Sequence, residues 1–329
     1  MPNKYIEARF AEAIKNAYTN RSALLIGNGI NRISSQSLSW EDLLKNLIQE
    51  SQVKNVRPGN KPLTFLFEEI SHKMEDGAQR QKIKELKENV RKLLEANLFP
   101  GVIHEKFVAL DVEHILTTNY DYCLEKVLDK NFSREDGKTY KTKKCSKKYS
   151  LTRCNEVNHK FIWHIHGELN NGISTNTDKQ YPEQSIMLGF DQYSTYVELI
   201  LKIFKSDTYE RGTDIKDALR DVYFSETWLS FFFTHDIHIV GLELGLFESH
   251  LWWLFNLRAK LSDRNKCISN KIIYYVPSYE LLAKRDQLEM LQSLKVDIEE
   301  ASCDFNNGNF YEGFYDEVYK ILKKKLSVN

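Results

Sequence analysis

The chain has 329 residues, 42% of them hydrophobic, which is enough to bury a substantial core in one large domain with an insertion and argues against disorder over most of its length. Lysine plus arginine equals aspartate plus glutamate at 46 each, so net charge demands neither nucleic acid nor membrane as a partner, and any basic function is local. The five cysteines contain no C-x-x-C pair, against a disulfide framework or zinc ribbon, while the absence of a signal-peptide core or membrane-span-length apolar run predicts a cytoplasmic protein.

Ala23 to Ile26 is a compact apolar run ended by Gly27-Asn28-Gly29 and reads as a short buried strand. Trp40 to Ser51 reads as a helix, with Ser39 as its cap and Leu43, Leu44, Leu47 and Ile48 in one stripe. Leu63 to Met74 and Gln79 to Leu98 are also helical. The second carries Ile83, Leu86, Val90, Leu93, Leu94 and Leu98 at helical spacing, so the two form a helical insertion over about residues 52–100. A strand at His114 to Thr118 leads into a helix at Tyr122 to Leu128. The segment from about 131 to 160 is poor in apolar residues and crowded by Lys138, Lys141, Lys143, Lys144, Lys147 and Lys148. It predicts an exposed basic loop, with phosphate or nucleic-acid contact as the sharper alternative. Further strands are expected at Phe161 to Ile165, Ile186 to Leu188, Ile237 to Val240 and Ile272 to Val276. Tyr196 to Phe233 looks helical, and an amphipathic helix spans Tyr311 to Leu326. Strands separated by helical segments imply a mostly parallel sheet covered by helices, an α/β fold.

Four of these strands run into polar residues or glycines, and open α/β sheets place ligand chemistry at strand carboxyl ends. In Gly27-Asn28-Gly29-Ile30-Asn31-Arg32 the glycines let the backbone approach a ligand's phosphates and N–H groups of a turn cradle anions, although the third glycine of the dinucleotide fingerprint is missing. Thr117-Thr118-Asn119-Tyr120-Asp121 presents a carboxamide and a carboxylate two residues apart, readable as a ligand site or as a helix cap. In Trp163-His164-Ile165-His166-Gly167, period-two alternation puts both imidazoles on one face; His166, next to a glycine, is the better catalytic candidate, and His164 suits a structural role. Val240-Gly241-Leu242-Glu243-Leu244-Gly245, with Glu248, is a second turn at which a ligand can approach.

In this order, the four motifs resemble the sirtuin-like NAD-binding domain, closest to its bacterial antiphage-defence branch, over nearly the whole chain from Ala23 to about Val276. The resemblance implies a single Rossmann-like domain over residues 1–329. It implies that Asn119 and His166 act at the nicotinamide ribose, that Asp121, beside Thr118, contacts the carboxamide, and that Gly27, Asn28 and Gly29 hold the diphosphate with Asn31 or Arg32 nearby. Gly241 would lie by the adenosine ribose, with Glu243 or Glu248 as the acidic partner. The four-cysteine zinc module of protein deacylases has no counterpart, as no cysteine lies between His166 and Cys267, so no zinc is expected. The expected Pro-Asp-Phe-Arg segment is replaced by Ser37-Leu38-Ser39-Trp40-Glu41-Asp42.

The activity so implied is hydrolysis of NAD⁺ to nicotinamide and ADP-ribose, depleting the dinucleotide during phage infection. The implied partners are other copies of the chain and, as in some family members, a HerA-type ATPase. The alternatives are an ADP-ribosyltransferase or deacylase on the same site, or a non-catalytic NAD-binding assembly subunit.

Overall fold

A computed structural model describes residues 21–33, 40–59, 61–74, 79–132, 151, 154–169, 186–205, 227–245, 248–264, 268–302 and 310–327. Seven strands form one sheet: β1 (Ser22–Ile26), β2 (His114–Thr117), β3 (Asn155–Val157), β4 (Lys160–His164), β5 (Asp236–Val240), β6 (Ile272–Pro277) and β7 (Asp297–Ala301). Their order is β3-β4-β2-β1-β5-β6-β7. Every pairing is parallel except that of β3 with β4. Without β3, this is the doubly wound Rossmann order, in which the chain runs outward from β1 in one direction and then returns to its other side. The reversal falls between β1 and β5.

Alternation along the strands divides the core. Ala23, Leu25, Leu116, Trp163, Ile237 and Ile239 face one side. There they meet α6 (Phe190–Lys205), the one-turn helix α7 (Phe231–Thr234), α8 (Ser249–Arg264) and α9 (Arg285–Ser293). Leu24, Ile26, Ile115, Ile162 and Val240 face the other side, against α4 (Val102–Val108), α5 (Cys123–Leu128) and α10 (Phe310–Leu326). A third cluster joins α1 (Trp40–Glu50), α2 (Leu63–Lys73) and α3 (Gln79–Asn97) to Tyr120, Tyr122, Leu169, Ile186 and Leu188. The helical insertion therefore rests on the segments that leave the carboxyl ends of β2 and β4.

Several expectations are corrected. Ile186 to Leu188 is no strand: Ile186 makes one antiparallel bridge to Gly167. Side chains take the carbonyls a ladder would use, since Lys87 Nζ donates to Ile186 O and Tyr120 Oη to Met187 O. The basic segment is not loop throughout, because β3 and the start of β4 form a hairpin through Asn158 and His159, at φ of 48° and 64°. Leu151, Cys154 and Val157 are buried there, and the lysines from Lys138 to Lys148 lie outside the described residues. The helix expected at Tyr196 begins at Phe190 and is described to Lys205; near Phe233 the chain forms only the 3₁₀ turn Trp228–Ser230 and α7.

The turns after β1 and β5 touch through their backbones. Gly27 N–H donates to Val240 O at 2.9 Å and Gly29 N–H to Gly241 O at 2.8 Å. A Cβ on Gly27 would lie 2.5 Å from Gly241 O and 2.6 Å from Leu242 Cα, neither of which can move without shifting the chain. Gly27→Ala is therefore expected to destabilise the fold by about 3 kcal/mol through overpacking, read as a lowered urea midpoint; an unchanged midpoint would mean that the two turns separate freely.

Candidate functional site

The carboxyl ends of β4, β2, β1 and β5 lie side by side, and each carries one of the four motifs. The end of β1 organises the end of β2. Thr117 Oγ1 donates to Ile26 O at 2.9 Å, Thr118 N–H to the same carbonyl at 3.2 Å, and Asn119 Nδ2 to Gly27 O at 3.3 Å. Asn119 N–H in turn donates to Thr117 Oγ1 at 3.0 Å. The carboxamide is thereby held by its nitrogen, and its Oδ1 is buried with no hydrogen-bond partner among the described residues. A buried acceptor left open costs about 1–3 kcal/mol, so this atom is a site where a donor on a ligand is favoured.

Asp121 has both carboxylate oxygens hydrogen-bonded within the protein. Its Oδ2 accepts Asn31 Nδ2 at 2.9 Å and its Oδ1 accepts the N–H of Cys123, the first residue of α5, at 2.9 Å. The helix-cap reading is thus realised alongside a bond across to the glycine turn. Asn31 Nδ2 also reaches Asn28 Oδ1 at 2.8 Å, and Asn31 Oδ1 accepts His104 Nε2 at 2.8 Å. His104 Nδ1 accepts Gly101 N–H at 3.1 Å, which fixes its hydrogen on Nε2. Burial lowers the His104 pKa despite nearby Asp121, so the ring is neutral. The N–H groups of Gly27 and Gly29 are spent on Val240 and Gly241, and these glycines permit backbone contact. Gly29 also makes room for the hydroxyl of buried Tyr315 from α10. Arg32 is exposed, its guanidinium 5.6 Å from the Tyr311 ring centre.

The two histidines do not share a face. β4 ends at His164 and the chain turns, with Gly167 N–H returning to His164 O at 3.0 Å and Gly167 at φ 89°. His164 lies against α5: its Nε2 meets Glu125 Oε1 at 2.7 Å and its Nδ1 the Asn119 carbonyl at 2.7 Å. Asn155 Nδ2 ties Glu125 to Glu168 at 2.8 and 2.9 Å. Burial alone would lower the His164 pKa, but Glu125, then Glu168 and the carbonyl of Asn119, hold it up at about 9, and His164 is an imidazolium at neutral pH. His166 turns instead toward α6 and α8. Its Nε2 is 3.0 Å from His250 Nε2 and its Nδ1 3.3 Å from Tyr193 Oη. Burial and then His250 keep its pKa well below 6.5, so it is neutral. Register pairs Thr117 with His164, so the segments that carry Asn119 and His166 leave neighbouring strand ends.

At the end of β5, Gly241 is at φ 66° and packs on the β1 turn, while Glu243 is exposed. Glu248 is buried at the head of α8 with Oε2 unpartnered among the described residues; burial and then Glu243 push its pKa up to about 8, so it is largely protonated at neutral pH. His104, Tyr193 and His250 escaped sequence reasoning. Only His250 had a local signal, two residues after Glu248 in a polar helix start.

A mostly parallel sheet of Rossmann order, with polar strand ends side by side, defines a Rossmann-like α/β domain. A family model, the SIR2-like domain, matches residues 113–227, from the residue before β2 through the His166 turn to Thr227. The match spans Asn119, Asp121 and His166, supports a sirtuin-like relationship and points to NAD-related chemistry. No curated protein matches the chain.

The His164–Glu125 pair makes stability depend on pH. A histidine whose folded pKa is raised from 6.5 to about 9 contributes stability that is complete below 6.5 and lost as pH rises through 9. Glu248, raised from 4.5 to about 8, acts in the same direction over a lower window, because the unfolded chain ionises there first. The urea midpoint is expected to fall across both windows. In Glu125→Gln the part between pH 8 and 9 should vanish; a decline retained there would dismiss the pair as its source.

Proposed function

We propose that this protein is an NAD⁺ glycohydrolase that cleaves NAD⁺ with water to nicotinamide, ADP-ribose and a proton. The observation that carries the reading is the open carboxamide oxygen of Asn119, fixed past the end of β2, whose neighbour β4 leads into the neutral imidazole of His166 within the SIR2-like segment.

Nicotinamide leaves as a neutral molecule from a cationic ring, so no acid is needed to protonate it. What the site must supply is stabilisation of an oxocarbenium-like ribose and delivery of water. Asn119 Oδ1 is suited to accept a hydrogen bond from a ribose hydroxyl or from the attacking water. His166 is suited to take a proton from either, work that contributes about 10²–10⁴-fold. Asp121, with both oxygens engaged inside the protein, holds Asn31 and the start of α5 in place instead of binding the carboxamide in this arrangement. In this reading Gly27, Asn28, Gly29, Thr118 and Gly241 form the floor of the crevice on which the dinucleotide lies. Glu248, largely neutral, can offer a carboxyl hydrogen where an ionised group would repel the diphosphate. The resemblance supports depletion of NAD⁺ in antiphage defence as the setting, with a further copy or an ATPase partner as the activator.

Incubation with NAD⁺ in the presence of the activating partner is expected to release nicotinamide, and Asn119→Ala or His166→Ala should each lower the rate by about 10²-fold or more. Because the His166 pKa lies below 6.5, the wild-type rate should hold as pH falls to 6.5 and decline only in more acidic buffer. Release no faster than that of either variant would end the hydrolase reading, and transfer of radiolabel from NAD⁺ to a protein would replace it with ADP-ribosyl transfer.

A further inference from the structure

We propose that His250 is the positioning residue of the site, holding His166 through an Nε2-to-Nε2 hydrogen bond so that Nδ1 is the nitrogen that takes the proton; this rests on the hydrolase reading above. Both nitrogens of His166 are occupied in the structure, by His250 Nε2 at 3.0 Å and by Tyr193 Oη at 3.3 Å. A general base needs an open lone pair, so one partner gives way when the ribose arrives. The contact to Tyr193 is the longer, and a hydroxyl of the substrate replaces a hydroxyl of the protein there with the same hydrogen-bonding capacity.

Once Nδ1 is the accepting nitrogen, the neutral ring carries its hydrogen on Nε2 and donates it to His250 Nε2. His250 is able to accept that hydrogen throughout the physiological range. It is fully buried, and burial pushes its pKa down to about 3. The rings packed around it are His166, Tyr193, Tyr196 and Trp228. Among the described residues its own Nδ1 has no hydrogen-bond partner, so no second bond there fixes its tautomer and the pair takes the one the substrate demands. In the proton step a ribose or water O–H bond breaks, the proton bonds to His166 Nδ1, and the electron pair stays on oxygen. The Nε2–H bond to His250 persists and orients the resulting imidazolium. The arrangement follows the logic in which a third group orients the base, with a neutral imidazole in the place where a carboxylate would raise the basicity of His166.

The tautomer is read directly by ¹⁵N NMR of histidine-labelled full-length protein with ADP-ribose bound. A pyridine-type Nδ1 and a pyrrole-type Nε2 on His166 are expected, and the reverse assignment overturns the proposal whether or not the enzyme turns over. In kinetics, His250→Gln should lower kcat by about 10²-fold with KM for NAD⁺ little changed. His250→Glu should move the acid limb of the pH–rate profile upward by about one unit or more; an unmoved limb in a variant that keeps the wild-type melting temperature also overturns it. Tyr193→Phe keeps the ring and removes the competing hydroxyl, so kcat/KM should rise by about threefold, in line with loss of one weak hydrogen bond; a tenfold fall would make Tyr193 the required partner in place of His250. The expected tautomer together with wild-type nicotinamide release no greater than that of Asn119→Ala would retire the hydrolase reading alone.

Discussion

The contact between two backbone turns sets the rest of the candidate site. Gly27 and Gly29 hydrogen-bond to Val240 and Gly241, and because no side chain intervenes, β1 and β5 are locked at the point where the sheet reverses its winding. With the end of β1 fixed, Ile26 O and Gly27 O have fixed directions, and these carbonyls hold Thr117, Thr118 and Asn119. The carbonyl of Asn119 then receives His164 from β4. Order passes from β5 to β1 to β2 to β4 along the strand ends, one hydrogen bond at a time. The glycines serve this transfer by their smallness; their amides are consumed in making it.

Two histidines separated by one residue end in opposite charge states, and the difference is entirely environmental. His164 meets a carboxylate and is held as a cation; His166 meets another imidazole and a phenol and stays neutral. Burial opposes charge in both, so the partner decides. The division matches two tasks. A cation bound to Glu125 is a fixed strut for the Asn119 backbone, whereas a neutral ring retains a lone pair for chemistry.

The central strands were legible because they are buried on both faces and so carry apolar runs, unbroken in Ala23 to Ile26 and Ile272 to Val276 and reduced to Ile115-Leu116 in His114 to Thr118; all three fall within a residue or so of the observed elements. The edges were not. β7 reads Asp-Ile-Glu-Glu-Ala and buries only Ala301, and β3 is three residues long, so neither carries a pattern of apolar burial. Asn119, Asp121 and His166 were legible as polar residues at strand ends, but their partners were not. His250 lies 84 positions from His166 and Asn31 lies 90 from Asp121, and no local pattern encodes contacts at such separation. The shared histidine face failed for a simpler reason: alternation holds only while the strand continues, and β4 stops at His164.

The helical insertion belongs to the same mechanical system. Lys87 of α3 is fully buried and gives its ammonium hydrogen to Ile186 O, and Tyr120, just past Asn119, gives its hydroxyl hydrogen to Met187 O. Met187 N–H in turn donates to His166 O at 2.9 Å. An ammonium withdrawn from water is costly to leave unpaired, so α3 and the Ile186–Met187 backbone are bound to move together. On the far side of that backbone, Phe190 opens α6, whose Tyr193 meets His166, and Phe190 stacks on Phe65 of α2 with ring centres 4.4 Å apart. The backbone and one ring nitrogen of His166 are thus both referred to the insertion, while its other nitrogen is referred to α8. A shift of α2 and α3 against the sheet would act first on the contact between Tyr193 and Nδ1, the longer of the two bonds, and leave the bond to His250 in place.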